Sequence, residues 1–391
     1  MTEAFFGARR EWSRWKHGLL KRYLGQFSAI VGSRHEIVYF VDGFAGRGCY
    51  HDPPEDGSPV IAARIAADSV SKGRSYSLRC INIEPDGYDD LCAATASFDS
   101  SLVENRKGTF AENLDSVLKT IGGHPALFFL DPFGHKGIEW DVVMRVVERS
   151  RRAITEVLLT FYITGIDRHA GYLTSTEKQA KKFVASLDAL FGTQAWRAIW
   201  GSTPDQEDRI LKLTDLYMQR LRLAFEAASS NGITARHAVR TIDGKLKYFL
   251  IYGTRHLRGG RAMSDAVFRV TMEYADARAV ADQAARDASS QTLLFAPREP
   301  PTEAEIDRAI VDRLVLAIPA RPPRSKQFRL ADLEEALLAD WFGRALEKHF
   351  RRACAELIHQ GKARIANPVV KEASRKKGAI AIGKDTLIEL L

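Results

Sequence analysis

Cysteine is scarce in this chain: four residues in 391, at positions 49, 80, 92 and 354, with no Cys-x-x-Cys pair and no histidine cluster nearby. That pattern excludes a disulfide framework and offers no metal-ligating set. Cys80 reads as a small core residue of a strand, and Cys49 has no base beside it. Long hydrophobic runs are missing as well. None approaches the roughly 20 apolar residues that a helix needs to span a bilayer. The opening Met1 to Arg10 lacks the basic–apolar–small order of a secretion signal, so a cytoplasmic protein is expected. Internal repeats and low-complexity tracts are absent too. Acidic excess is lacking: the net charge is +8, a modest basic balance compatible with a polyanionic partner.

What is present is an ordinary globular composition, 45% apolar, in a chain long enough for one large α/β domain and an appendage. The run Ile37-Val38-Tyr39-Phe40-Val41-Asp42 reads as a parallel strand buried on both faces. It leads into Gly43-Phe44-Ala45-Gly46-Arg47-Gly48, where glycine lets backbone approach a ligand or take positive φ. A second strand, 79–83, ends in Glu84, and a third is placed near 102–109. A fourth, 126–131, ends in Asp131-Pro132-Phe133-Gly134, and a fifth covers 156–161. Helices are expected at 4–30, from Ser58-Pro59 onward, at 87–97, after Glu112, at 139–149 and at 261–285. Ser58 is the expected N-cap and Pro59 the first-turn proline. A polar loop is expected over 51–57, and another from Thr160 to Arg168.

Alternation of strand and helix implies right-handed crossovers and a parallel sheet. Strands at 235–242 and 246–253 flank Asp243-Gly244, a hairpin signal. A terminal antiparallel hairpin on a parallel sheet marks a Rossmann-like class I methyltransferase sheet of seven strands. The expected organisation is one domain over 1–290, with a helical insertion at about 170–232, and a second domain over 301–391. The second domain carries helical periods at 303–317, 330–339 and 344–360. Extended pieces at 362–365 and 379–382 flank Arg375-Lys376-Lys377-Gly378, so a winged-helix-like unit that binds nucleic acid or a partner is expected. Over 301–391, Lys and Arg outnumber Asp and Glu by 17 to 13.

Strand–glycine turn, strand–acid and strand–Asp-Pro-aromatic, in that order, is the pattern of an S-adenosylmethionine-dependent methyltransferase acting on a nitrogen of a planar base. The turn Phe44, Ala45, Gly46 and Gly48 would let backbone pass the amino-acid end of that cofactor. Asp42 would take its ammonium group, and Glu84 both ribose hydroxyls, as acids so placed do in dinucleotide folds. Either acid can instead simply cap its strand. Glu112 or Asn113 would meet the adenine amine, or cap a helix. Asp131 and the Pro132 carbonyl would accept the two hydrogens of an exocyclic amine, freeing its lone pair. Phe133 would stack on the base, or sit in the core. Tyr162 and Arg168 would line the base pocket, or pack as a loop. Lys326, Arg351, Arg352, Arg375, Lys376 and Lys377 are the candidates for phosphate contacts, against a solvated basic face. In the first helix, Trp12, Trp15, Leu19, Leu20, Tyr23, Leu24 and Phe27 make one apolar face. Arg14, Lys16, Lys21 and Arg22 around it leave a substrate-binding arm open.

The chain resembles the three-Cys-motif partner protein family. The resemblance is carried by Tyr39 to Gly48, Asp56 to Ala62, Asn82 to Pro85, Phe129 to Ile138, Tyr248 to His256, and the opening Trp15-Lys16 with Leu20 to Leu24. It covers about 1–285. It implies a class I methyltransferase-like fold and, as a possible partner, a three-Cys-motif protein of radical S-adenosylmethionine type. The Asp-Pro-Phe-Gly corner also resembles that of tRNA guanine-N2 methyltransferases. It departs from the Asp/Asn-Pro-Pro-Tyr/Phe of adenine-N6 enzymes by lacking the second proline. The leading expectation is a nucleic-acid base N-methyltransferase acting on DNA or RNA. The rivals are a non-catalytic scaffold for a partner enzyme and a small-molecule methyltransferase.

Overall fold

A computed structural model of the chain describes residues 3–51, 54–176, 178–240, 245–288, 301–323, 325–366, 380, 382–383 and 385–391. They form two compact units, Met1–Ala262 and Met263–Leu391. The sequence suggests a division after residue 290; the structure divides within a long helix that crosses 262.

The first unit opens with α1 (Glu3–Gly32), followed by β1 (Ile37–Asp42). A short antiparallel hairpin of β2 (Cys49–His51) and β3 (Pro54–Asp56) stands where a polar loop was expected. After α2 (Ser58–Ser71) come β4 (Ser77–Glu84), α3 (Tyr88–Thr95), β5 (Val103–Lys107), α4 (Phe110–Ile121), β6 (Ala126–Leu130), α5 (Trp140–Glu148) and β7 (Thr155–Phe161). Then α6 (Ile163–Ala170), α7 (Lys178–Phe191), α8 (Ala195–Ser202) and α9 (Gln206–Ser229) fill the space before β8 (Ile233–Arg240) and β9 (Leu246–Thr254). The turn Asp243-Gly244 lies outside the described residues.

Seven strands make one sheet in the order β5-β4-β1-β6-β7-β9-β8. The five strands from β5 to β7 run parallel, and β9 lies antiparallel between β7 and β8. This is a Rossmann-like seven-stranded sheet with the terminal antiparallel hairpin expected from the sequence. Strands β6 and β7 are buried along their whole length, as central parallel strands covered on both faces must be. One covering layer joins Phe110, Leu114 and Val117 of α4, Val143 and Val147 of α5, and Leu187, Trp196, Tyr217 and Phe225 of the insertion. At the other end of the chain order, α1 buries Trp15, Leu19, Leu20, Tyr23, Leu24 and Phe27. The Tyr23 hydroxyl donates to Glu156 Oε2 at 2.5 Å and lies 2.9 Å from the Tyr252 hydroxyl, so a buried polar knot ties α1 to β7 and β9.

Two local expectations need correction. The segment after Phe161 is helix α6 and not a loop, because Ile163, Ile166 and Ala170 fall on one face and are fully buried. The N-cap of α2 is Gly57, with no side-chain cap, so Ser58 and Pro59 both lie inside the first turn.

The second unit runs from within α10 (Leu257–Ala288) through α11 (Glu303–Ala320), β10 (Gln327–Phe328), α12 (Leu330–Trp341), α13 (Glu347–His359), β11 (Ala363–Ile365) and β12 (Ile388–Leu390). Its strands form an antiparallel sheet in the order β10-β12-β11. The partner of β11 is thus β12, not the expected 379–382 segment, where the described Ile380 and Ile382 are not in a strand. Val311, Leu314, Leu333, Phe350, Leu357 and Ile388 make the core of this unit.

Candidate active site

The register of three neighbouring strands builds the site. Asp42, the last residue of β1, pairs with Asn82 of β4 on one side and Phe129 of β6 on the other. Glu84 and Asp131 each lie two residues further along, which side-chain alternation puts on the same face as their pairing residues, about 7 Å beyond them. Three carboxylates therefore gather at the C-terminal edge of the sheet, where ligands of open α/β folds bind.

The turn after β1 is pinned to both flanking strands. Gly43 N–H donates to the Phe129 carbonyl and Ala45 N–H to the Ile83 carbonyl, each at 3.0 Å. Gly46 and Gly48 take φ of 61° and 82°, a region that costs other residues strain. A Cβ on Gly48 would meet Ala94 Cβ at 2.7 Å, whereas one on Gly46 would meet nothing within 4 Å. Phe44 is half-buried against Phe110, with ring centroids 6.1 Å apart.

Asp42 is fully buried. Its Oδ1 accepts the Phe44 N–H at 3.1 Å, and Oδ2 has no hydrogen-bond partner among the described residues. Burial pushes this carboxyl up to about 7; the Ser58 hydroxyl and Phe44 N–H pull downward, while the charge of Asp131 adds to the rise. Glu84 uses Oε1 alone, accepting the N–H groups of Asp86 at 3.1 Å and Gly87 at 2.9 Å. Glu112 is a capping-box residue: its Oε2 accepts from the Thr109 N–H and hydroxyl. Asn113 donates to the Lys107 and Thr109 carbonyls. Both adenine candidates thus serve the start of α4.

Asp131 is met by a residue that the sequence offered only as part of the opening Trp15-Lys16 motif and of a basic arm, with no site role. Lys16 of α1 forms an ion pair and hydrogen bond with Asp131 Oδ2, leaving Oδ1 buried and without a partner among the described residues. The Lys16 ammonium also lies 5.5 Å from the Tyr248 ring centroid. Burial alone would lower the Lys16 pKa, but Asp131, Tyr248 and Tyr162 raise it above the ordinary lysine value. Its neighbour His17 is lowered to about 4 by burial and by Lys16, and so is neutral at pH 7. No spacing rule pairs positions 16 and 131; only the basic side chains along α1 hinted at it.

The corner after β6 is open on one side. Phe133 is 92% exposed, so it is not a core residue. Pro132 is buried and its carbonyl accepts the Gly134 N–H at 3.0 Å, leaving one lone pair for another donor. His135 is buried, contacts Ser186 Oγ at 3.0 Å and the His169 ring at 4.9 Å, and is held to about 4 by burial and by His169. Tyr162 packs beside Tyr248 at 5.5 Å, while Arg168 is exposed on the last turn of α6.

The structure thus brings Asp42, Glu84, Asp131 and Lys16 to one sheet edge, with Phe133 and Tyr162 on the segments that follow β6 and β7. The basic candidates of the second unit fare differently. Arg351 holds Glu347 at 2.9 Å and the Ile382 carbonyl. Arg352 holds Asp307 at 2.8 Å, an acid that also takes Lys348 and His349. Lys326 is exposed beside β10, and Arg375, Lys376 and Lys377 lie outside the described residues. An open hollow of about 740 Å³ in this unit, lined by Glu303, Asp307, Arg308, Arg352 and His359, contains none of the strand-tip residues. Among the described residues no helix is long and apolar enough to cross a membrane, and no cluster of three His, Cys, Asp or Glu can hold a metal.

No family model matches the chain, and no curated protein matches it significantly; the three-Cys-motif resemblance rests on its motif residues alone. Solved structures give weak likenesses. The plantazolicin methyltransferase BamL, solved with a triazolic desmethylPZN analog and SAH, is 9% identical over 64% of this chain and 89% of its own, with a TM-score of 0.30. An O-methyltransferase family protein from Burkholderia thailandensis is 13% identical over 59% and 57%, with a TM-score of 0.28. A SAM-dependent methyltransferase from Anabaena variabilis is 10% identical over 63% and 94%, with a TM-score of 0.27. At such values no activity is carried over from them.

Proposed function

We propose that the chain is an S-adenosylmethionine-dependent methyltransferase whose acceptor is an exocyclic nitrogen of a nucleic-acid base. One observation carries this reading: carboxylates end three adjacent strands, Asp42 Oδ2 and Asp131 Oδ1 are buried with no hydrogen-bond partner among the described residues, and the Asp86 and Gly87 N–H groups take only Oε1 of Glu84. Buried polar atoms left unpaired call for a ligand that pairs them. The set of acceptors fits the cofactor. Asp42 Oδ2 would take the ammonium, Glu84 Oε2 a ribose hydroxyl, and the open side of Gly46 would let backbone pass the amino-acid end. When bound, the sulfonium would supply an electrophilic methyl, with the N–C bond made from the acceptor lone pair and the S–C electrons left on sulfur.

The chain's own residues would do the rest. An exocyclic amine is conjugated with its ring and is a poor nucleophile. Asp131 Oδ1 and the remaining lone pair of the Pro132 carbonyl would accept its two hydrogens, drawing the nitrogen toward tetrahedral geometry. The proton released on transfer leaves along the hydrogen bond to Asp131. Phe133, already in solvent, would stack on the base, worth about 1–3 kcal/mol, after the base has left any duplex. Holding donor and acceptor in line would supply much of the rate.

We read the second unit as winged-helix-like from its order of helix, strand, two helices and two strands. Lys326 and the 375–377 run are its remaining candidates for phosphate contacts, since Arg351 and Arg352 are engaged with internal acids and a carbonyl. Transfer of a tritiated methyl to DNA, RNA and peptide pools tests the proposal. Label in a nucleic-acid pool, lost at least about 100-fold in Asp131→Ala, is expected. Label in peptide alone would overturn the acceptor class. Cofactor binding without transfer to any pool would favour the scaffold reading.

A further inference from the structure

We infer that Lys16 is a positioning residue for Asp131, holding one carboxylate oxygen so that the other alone faces an acceptor group. The inference rests on the reading of the strand tips as a transfer site. Lys16 and Asp131 are 115 residues apart in sequence, so the contact exists only because α1 packs on the sheet. The pair is mostly buried, with side-chain exposures of 11% and 19%. In such surroundings an ion pair is weakly screened and its geometry is well defined.

The asymmetry within the carboxylate is the telling feature. Oδ2 is taken by Lys16, and Oδ1 is buried and unpaired. A freely rotating carboxylate would offer either oxygen to a substrate. One oxygen tethered to a helix fixes the plane of the group and leaves a single acceptor. Tyr248, with its ring 5.5 Å from the ammonium, and Tyr162, 5.5 Å from Tyr248, back the cation with aromatic surface.

A rival role for Lys16 is general base, taking the proton that leaves the methylated nitrogen. The surroundings oppose it: Asp131 and the two tyrosines favour the ammonium, which has no lone pair to accept with. Lys16 therefore donates and stays charged. The fixing of α1 serves the same end. Two turns on from Lys16, Tyr23 is locked to Glu156 and Tyr252, so the helix that presents the lysine is itself tied to the sheet.

The test uses the full chain as wild type, Lys16→Met, Lys16→Arg and Asp131→Asn. Amine labelling with an acetylating reagent in mildly alkaline buffer, read by mass spectrometry, reports the pair without any substrate. Lys16 of the wild type should label far more slowly than exposed Lys136. In Asp131→Asn, burial is no longer opposed by a counter-charge, and labelling of Lys16 should rise about tenfold, the factor that one pH unit in proton affinity produces. Equal labelling in the two proteins would overturn the inference. Methyl transfer to the nucleic-acid pools gives the second readout. Lys16→Met should lose turnover at least about tenfold with cofactor affinity unchanged, and Lys16→Arg should restore part of it. Lys16→Met turning over like wild type, or a cofactor-loaded wild type that methylates no pool, would also overturn it. A wild type that binds no cofactor defeats the methyltransferase reading itself, and the labelling result still decides whether the pair exists. Should Lys16→Met fail to fold, Lys16→Arg and Asp131→Asn keep the volume and complete the comparison.

Discussion

Asp42 at the end of β1 carries the added charge of Asp131, one strand away at the end of β6, and each of the two carboxylates keeps a buried oxygen unpaired. The first of these titrates near neutrality, with a pKa raised to about 7, against 3.8 in an unfolded chain. An ammonium ligand needs the anion, so cofactor affinity should fall as pH drops below 7, by up to about tenfold per unit. Calorimetric titration at pH 6, 7 and 8 reads this; a flat profile would remove Asp42 from the binding site.

The same carboxyl bears on stability with a definite sign. Its folded value lies above its unfolded one, so the stabilisation is full below pH 4 and is lost as pH rises through 7. Above that pH the cofactor-free fold must carry a buried charge. Asp42→Asn should therefore be more stable than wild type at pH 8, by on the order of a few kcal/mol, and by less at pH 5. A lower melting temperature at pH 8 would contradict the assignment.

Glu156 offers a control outside the site. Burial raises it to about 7 against the hydrogen bonds from Tyr23, Tyr252 and Thr254, so its stabilisation too is lost as pH rises through 7. Glu156→Gln should flatten the stability profile between pH 5 and 8 and leave cofactor affinity unchanged. Tyr23→Phe leaves that carboxyl short of a donor and should cost about 1–3 kcal/mol by denaturant unfolding.

The two glycines of the turn should separate strain from ligand approach. Gly48→Ala adds a Cβ 2.7 Å from Ala94 at positive φ, and should lower stability by about 2 kcal/mol or more. Gly46→Ala meets open space, so its stability cost should be near 1 kcal/mol while cofactor affinity falls disproportionately. Equal proportions of the two effects in both variants would mean that no ligand passes Gly46.

Phe133→Ala should leave stability within about 0.5 kcal/mol, since a side chain 92% exposed packs on nothing. Transfer to nucleic acid should fall about tenfold or more through weaker acceptor binding. A destabilised variant with normal transfer would reverse this assignment.

Much of the architecture is written locally in the chain. The unbroken apolar runs at Ile37–Val41 and Ala126–Leu130 announce strands buried on both faces, and the acids that end them sit where the chain leaves the sheet. Contacts between distant segments carry no such signature. Lys16 looks like any basic residue on an amphipathic helix until folding sets it against Asp131. Ser58 has every local mark of an N-cap, yet the helix starts one residue earlier, with Gly57 at the cap position and Ser58 inside the first turn. The segment from Ile163 to Ala170 is short and polar enough to pass for a loop; burial of Ile163, Ile166 and Ala170 under the insertion makes it a helix. Strand β12 escaped notice because Ile388-Glu389-Leu390 is only three residues long and finds both its partners, β10 and β11, from a distance.

The most direct measurement is a calorimetric titration of wild type, Asp42→Ala and Glu84→Ala with S-adenosylmethionine at pH 8. Saturable heat from the wild type, weakened at least about tenfold in each variant, is the outcome that strand-tip binding requires. No heat from the wild type, or binding that both variants retain in full, would contradict it.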